Sequence, residues 1–536
     1  MKKKENSQHR SEPHVGEMKN MYLLGLDVGT TGCKSVIFTP DGEVISSAYG
    51  EYRLYHRRPG WSELDPKEVW NTTKETIRRS INKGKIDPKQ ISALSTSVLG
   101  DAFIPVDDAG NPLYWSMTTV DARAAEQTRW WEENFGADRI YRITGQPLTS
   151  SMPIYPLPKI QWLREHESEV YRKTAMFLCW EDYVNMKLCG KPVIDFSVAS
   201  RTMMFDIAKK EWSKEILETA ELDENLLPET QPAGTVIGQL DSDAAKETGL
   251  SEETFVVTGG HDQACGALGA GIVESGPAMD ATGTVECIGV ILKTLSLTER
   301  ARLQGFAVHH YVIEDRYFLF GFNPTSGVIL RWFRDNFAEK EREEAKKKNI
   351  DVYDLLMSLA AESPLGAKEL FFLPYFEGSG TPTFNRKARG VFLGLTLAHG
   401  KNEVLRSMLE GLSYELRRNI EAIEKHGTEI TEIRAIGGGA RSAFWSQLKA
   451  DITGKPLVVP NVTEAAALGA AILAGIGAGI YENAEEALRG VYKEKSRFSP
   501  QAENMKRYNR YYDVYMRIYN PLVRIFDDLS ELTKET

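Results

Sequence analysis

Cysteine is scarce in this chain. Five occur among 536 residues, at positions 33, 179, 189, 265 and 287. The number is odd and none of the short paired spacings that hold zinc is present. A disulfide framework is excluded on these grounds, and a reducing cytoplasm is the expected location. Excess positive charge is lacking too. A net charge of −10 removes the bulk attraction that nucleic acid or an anionic membrane would need, so neither is an expected partner. Long apolar runs are nearly absent. Residues 465–481 carry no charge, but the run falls short of the ~20 residues of a membrane span and is built from Ala and Gly rather than Leu and Phe. With Thr463 as a cap and Glu464 in the first turn, it reads as a buried helix pressed close to a sheet. No apolar stretch follows the lysines at 2–4, so residues 1–20 are expected to be a polar, disordered leader rather than a signal peptide.

What is present points to a globular α/β protein. The length predicts two to four domains, and 42% hydrophobic with 26% charged residues is ordinary for a soluble chain. The most informative stretch is 22–38. It reads as an apolar strand, the carboxylate of Asp27, a Gly29-Thr30-Thr31-Gly32 turn and a second strand. Glycines at 29 and 32 let backbone N–H groups approach an anion, and Thr30 and Thr31 add hydroxyl donors. Asp27 is placed to hold Mg²⁺ through water. An ordinary β-hairpin with a glycine-rich turn fits the same residues.

Further along, 66–81 has helical spacing with Asp65 as cap. Residues 91–97 form a buried strand running into Leu99-Gly100-Asp101, where α/β folds place ligand contacts. Asp121 and Arg123 read as a surface pair. Residues 159–166 and 169–189 read as helices. A strand at 254–257 ends in Gly259-Gly260-His261-Asp262-Gln263, followed by a small-residue helix. An acid at that helix start is expected to have a lowered pKa and to stay ionised, suited to accepting a proton or holding a cation. His261 is expected to be a packed neighbour. Asp280-Ala281-Thr282-Gly283-Thr284 loosely repeats the opening acid and turn, which suggests a duplicated unit. A strand at 433–436 enters Gly437-Gly438-Gly439-Ala440, bare backbone that admits a flat ring or a phosphate. Residues 339–348 are a solvated charged helix, and the tyrosines at 508, 511, 512, 515 and 519 form a packing stripe.

In combination these stretches resemble the FGGY carbohydrate kinase family over about residues 21–515. The resemblance rests on Gly25-Leu26-Asp27-Val28-Gly29-Thr30-Thr31, on Gly259-Gly260-His261-Asp262-Gln263, and on Gly390-Val391-Phe392-Leu393-Gly394-Leu395 followed by Glu403-Val404 and Ser407-Met408-Leu409-Glu410. The Gly437–439 stretch with Trp445, Gln447 and Asp451, and Lys159 with Trp162, add to it. The chain departs from relatives where sugars are selected. Gly100 and Asp101 stand where glycerol kinases carry an Arg-Glu pair, and Ser97-Val98-Leu99 where xylulose kinases carry Gln-Met-His. Ser379 and Gly380 replace another Glu-Arg pair.

The resemblance implies two actin-like (ribonuclease H-like) domains closing on a catalytic cleft. The expected layout is a sugar-binding N-terminal domain at 21–272, a nucleotide-side domain at 273–515 and a tail at 516–536. It implies Asp262 as the base, ATP and Mg²⁺ as cofactors, and Asp27 and Asp262 as the metal side. Asp27, Gly29, Thr30, Thr31, Lys34, Thr282, Gly283 and Thr284 are expected at the phosphates. Gly437, Gly438, Gly439 and Ala440 would line the adenosine pocket, and Ser97, Gly100, Asp101, Asp262 and Gln263 would meet the acceptor. The expected acceptor is a small sugar or polyol, first a ketopentose such as xylulose. A deoxyketose, an aldonate and an autoinducer-2-like signal remain open, as does a homodimer. The competing classes are a catalytically silent sugar sensor and an actin-like ATPase scaffold.

Overall fold

A computed structural model describes residues 21–535; the leader expected at 1–20 lies outside them. Two sheets dominate. The first contains β1 (Tyr22–Val28), β2 (Gly32–Phe38), β3 (Val44–Glu51), β4 (Ile91–Val98), β5 (Val236–Gln239) and β6 (Phe255–His261), in the order β5-β6-β4-β1-β2-β3. The second contains β7 (Pro277–Thr282), β8 (Glu286–Leu292), β9 (Ala307–His310), β10 (Tyr317–Asn323), β11 (Glu432–Gly437), β12 (Leu457–Pro460) and β13 (Glu494–Phe498), in the order β9-β10-β8-β7-β11-β12-β13.

Both sheets share a five-strand core. In each, three antiparallel strands (β1-β2-β3 and β7-β8-β10) are continued by two parallel ones (β4, β6 and β11, β12). The loose repeat in the sequence is thus a repeat of architecture. Its acid is out of register, however. Gly29 N–H bonds Gly32 O, and Gly283 N–H bonds Val285 O, so Gly283 matches Gly29 and the counterpart of Asp27 is Ala281. Asp280 falls on the other face of its strand.

The helices that position the cleft are α1 (Pro66–Gly84), α2 (Trp180–Cys189), α3 (Phe196–Ser200), α4 (Asp262–Gly269), α5 (Lys401–Glu424), α6 (Ala443–Thr453), α7 (Ala465–Gly477) and α8 (Ala502–Glu535). Asp65 caps α1 as expected, accepting from Lys67 N–H. The helix expected over 169–189 is broken. Ser168–Lys173 ends before a strand at Met176–Leu178, which pairs with Ile104–Val106, and α2 follows. The cap expected at Thr463 is not used: Glu464 occupies the N-cap position, and its side chain goes to Lys34 instead. Asp121 and Arg123 are not a surface pair. Arg123 is buried between Asp121 and Glu63, with its guanidinium 3.5 Å from the centre of the Trp61 ring. The tyrosine stripe lies on α8, where Tyr508, Tyr512 and Tyr515 donate to Glu410, Glu421 and Glu415, the last two carboxylates and the first all carried by α5. That helix runs through 535 without a break. All five cysteines are free, and among the described residues no helix is long and apolar enough to cross a membrane.

Helix α7 is buried as its composition predicted. It crosses β1 and α4 at backbone distance. A methyl on Gly25 would lie 1.8 Å from Ala467 O, one on Gly469 2.0 Å from Cys265 O, and one on Gly269 1.9 Å from Ala465 O. Gly25→Ala is therefore expected to cost about 2 kcal/mol or more, read from the urea midpoint. Gly438→Ala, whose methyl meets nothing closer than 3.9 Å, should stay within about 0.5 kcal/mol of the parent.

Candidate active site

The two hairpin turns, β1–β2 and β7–β8, present Thr30, Thr31, Gly283 and Thr284 as exposed residues. Asp27 lies inside β1, opposite Lys34 on β2 and Ser97 on β4. Ser97 Oγ donates to its Oδ1 at 3.1 Å. Burial raises Asp27 from 3.8 to about 6, against the opposing pull of that hydrogen bond and of Lys34. Lys34 itself is held at 2.5 Å by Glu464, at the start of α7. It ties the first hairpin to the helix that joins the two halves.

The second hairpin meets the triple glycine. Thr282, Gly283, Thr284, Gly438 and Gly439 border a cavity of about 270 Å³, completed by Leu330, Met357 and Trp445. Gly437 and Ala440 flank it. Gly437 needs its φ of +82°, and a methyl there or on Gly439 would come within 2.6 Å of Thr282. Thr282 borders the cavity, but its hydroxyl is already engaged, donating to Asp280 at 3.1 Å and accepting from Lys449 at 2.7 Å. Lys449 is buried on α6 and also reaches Asp280 at 2.6 Å and Glu286 at 2.7 Å. This cluster, one ammonium shared by two buried carboxyl groups, anchors both ends of the second turn from behind. Trp445 belongs to the stretch quoted for the resemblance, whereas Leu330, Met357 and Lys449 sit on helices with no local motif, so the sequence carried no signal for them.

Asp262 opens α4, directly after β6. Helix α4 packs against the second sheet, with Gly266 facing Ile436 and Met279. The acid that starts α4 thus stands between the two halves. It feels Asp27 on one side and perturbs Cys287, at the start of β8, on the other. The expectation of a lowered pKa is overturned. Burial, with the negative charge of Asp27 next, raises Asp262 from 3.8 to about 7, and hydrogen bonds from Gln263 offset only part. Desolvation outweighs the field of a helix this short.

A buried scaffold holds this segment. Glu181 on α2 accepts from the N–H groups of Gly259 at 2.7 Å and Asp195 at 2.8 Å. Asp195 caps α3 and binds the Ser197 hydroxyl, which in turn accepts from His261 N–H at 2.9 Å. Gly259 is required because a methyl would lie 1.6 Å from Thr96 O. His261 is the packed neighbour expected. Burial pushes its pKa well below 6.5, and its Nε2 lies 3.5 Å from Asp262 Oδ1. Its ring also explains Gly100, where a methyl would sit 2.6 Å away. Asp101 has φ +60° and is buried. Lys159, buried and lowered to about 8, fixes that bend by donating to the carbonyls of Asp101, Thr118 and Ile154.

The chain matches the N-terminal domain of the FGGY family of carbohydrate kinases over residues 22–269 and its C-terminal domain over 279–478. It is 31% identical to a xylulose kinase of Staphylococcus epidermidis over 95% of this chain and 99% of the relative. It is 30% identical to a gluconokinase of Bacillus subtilis over 95% and 98%. Among solved structures it is similar to a ligand-bound xylulose kinase from Lactobacillus acidophilus, with TM-score 0.86, 26% identity and coverage of 95% and 100%.

The raised pKa has a consequence for folding. Ionising Asp262 costs the folded state, a cost absent below the unfolded value near 3.8 and full above about 7. Asp262→Asn is expected to gain stability over the parent as pH rises from 4 to 8, measured by urea unfolding at each pH. A pH-independent difference would refute the raised value.

Proposed function

The chain belongs to the FGGY family of carbohydrate kinases, and we propose that it transfers the γ-phosphate of ATP to a hydroxyl of a ketopentose such as xylulose. The observation that carries the catalytic assignment is Asp262, half-buried between the halves with a pKa of about 7. A base of that strength is matched to a hydroxyl proton near neutral pH.

Asp262 orients the acceptor hydroxyl and takes its proton as the new O–P bond forms. The bond between the γ-phosphorus and the bridging oxygen breaks, and ADP carries away the electron pair. Thr30, Thr31, Gly283 and Thr284 donate to the phosphate oxygens from the two turns, stabilising charge that shifts during transfer. The cavity beside Gly438, Gly439 and Trp445 accommodates the adenosine. Closure of the sugar-binding side, assigned to 21–272, on the nucleotide side, assigned to 273–515, excludes water.

Mg²⁺ fits this donor set. Asp27 and Asp262 repel one another, and Lys34, the cation that acts on Asp27, is already paired with Glu464. Among the described residues no cluster of three or more metal-ligating side chains forms. A hydrated ion held by one or two carboxylates and substrate phosphates needs no more than this. When bound, it would neutralise phosphate charge, with Asp27 and Asp262 reaching it through water.

The test is an ADP-coupled assay across ketoses, polyols and sugar acids. ADP formation is expected to depend on a ketopentose, with kcat/KM rising through an acidic limb near pH 7 as Asp262 loses its proton. Asp262→Asn should lower turnover by about 10²-fold or more. Acceptor-independent ADP release at the parent rate would instead support an ATPase, and acceptor binding without transfer a sensor.

A further inference from the structure

Arg201 follows α3 and was not singled out by any motif. Its Nη2 donates to Asp101 Oδ2 at 2.9 Å and its Nη1 to Gln146 Oε1 at 2.7 Å. Gln146 is itself locked, donating to the carbonyls of Thr144 and Val308. Both charged side chains are only 5% exposed. Even so, Arg201 Nε and Asp101 Oδ1 have no partner, and neither do His261 Nδ1 and Gln263 Oε1 close to Asp262. Buried polar atoms are normally satisfied, so an unpaired group on each member of one ion pair is an unusual arrangement. Arg201 also borders a cleft of only about 20 Å³, lined by Tyr155, Phe320, Phe322 and Phe384 and by neither Asp101 nor Asp262. The centres of the Tyr155 and Phe320 rings lie 5.7 and 5.9 Å from its guanidinium.

This set of atoms has a chemical bias. Arg201 Nε offers a donor and Asp101 Oδ1 an acceptor. Sugar hydroxyls both accept and donate, so a polyol answers both. A carboxylate only accepts, and it would face the charge of Asp101. Arg201 is the sole charged side chain among the described residues lining the cleft, and its charge is already matched by Asp101. Asp262 and Asp27 lie beyond and add negative charge; Asp262 registers both Asp27 and Asp101.

We infer that the Asp101–Arg201 pair, braced by Gln146, selects the acceptor: it binds hydroxyls of a neutral ketose or polyol and rejects sugar acids. Where the resemblance places an adjacent Arg-Glu pair in glycerol kinases, the arginine and carboxylate here come from two distant segments. The inference rests on reading the surroundings of Asp262, which both members of the pair reach electrostatically, as the acceptor site of the kinase.

The experiment compares D-xylulose with D-gluconate in the full-length protein, by ADP-coupled kinetics and by calorimetric binding without nucleotide. The parent is expected to favour xylulose by about 10²-fold or more in kcat/KM and to bind it where gluconate binding is undetectable. Asp101→Asn removes the repelling charge and leaves Arg201 unmatched. It should raise the KM for xylulose about 10-fold or more and narrow the ratio between acceptors by at least as much, with the KM for ATP unchanged. Arg201→Lys, which keeps the charge but lacks Nε, should weaken xylulose without improving gluconate. Calorimetric preference for xylulose with no transfer to either compound would support the inference while removing the kinase reading. Preference of the parent for gluconate, or equal losses for both acceptors and ATP in Asp101→Asn, would overturn it. An unfolding midpoint for each variant separates a misfolded chain from a changed site.

Discussion

Backbone meets backbone where α7 crosses β1 and α4, and the geometry of the cleft depends on that contact. Gly25, Gly269 and Gly469 sit at the crossings, each with a carbonyl oxygen where a Cβ would be. Such an approach is possible only between elements stripped of side chains, and it leaves no slack for one element to slide past the other. The helix is supplied by the C-terminal half and the strand by the N-terminal half. Their contact fixes how the first hairpin stands relative to the second. Lys34 and Glu464 add an ion pair at the mouth of the same junction.

Fixing the halves in this way brings like charges together. Asp27, inside β1, and Asp262, at the start of α4, come from segments far apart in sequence, and burial together with the charge of Asp27 raises the affinity of Asp262 for protons. That arrangement is unfavourable for folding and useful for chemistry, because it leaves an acid that loses its proton near neutrality and two carboxylates short of a cation. The surroundings oppose relaxation. Glu181, Asp195 and Ser197 hold the backbone before Asp262, and Lys159 holds the left-handed bend at Asp101. The second turn is secured differently, by Lys449 balanced between two buried acids. Each functional turn therefore has its own polar anchor beneath it.

Much of this was legible locally. The Gly-Thr turn at 29–32, the Gly-Gly-His-Asp start of α4 and the triple glycine each combine a tight backbone with the end of a strand, and short-range chemistry of that kind survives in the sequence. Where the reading failed, a long-range effect had won. Asp262 was expected to be acidified by its helix, but burial and Asp27 outweigh it. Asp280 was matched to Asp27 by pattern, but strand register shifts the equivalence to Ala281. Arg123 was placed on the surface because nothing nearby in sequence announces the Trp61 and Glu63 that enclose it.

The sequence by itself determined the family, the two-part α/β build and the residues of the two Gly-Thr turns, because those follow from glycine positions, strand periodicity and motif spacing. Only the tertiary structure decided the proton affinity of Asp262 and the partner of Asp101. The first is set by burial and then by the charge of Asp27, the second by an ion pair with Arg201, and the groups responsible lie in segments that folding alone brings together.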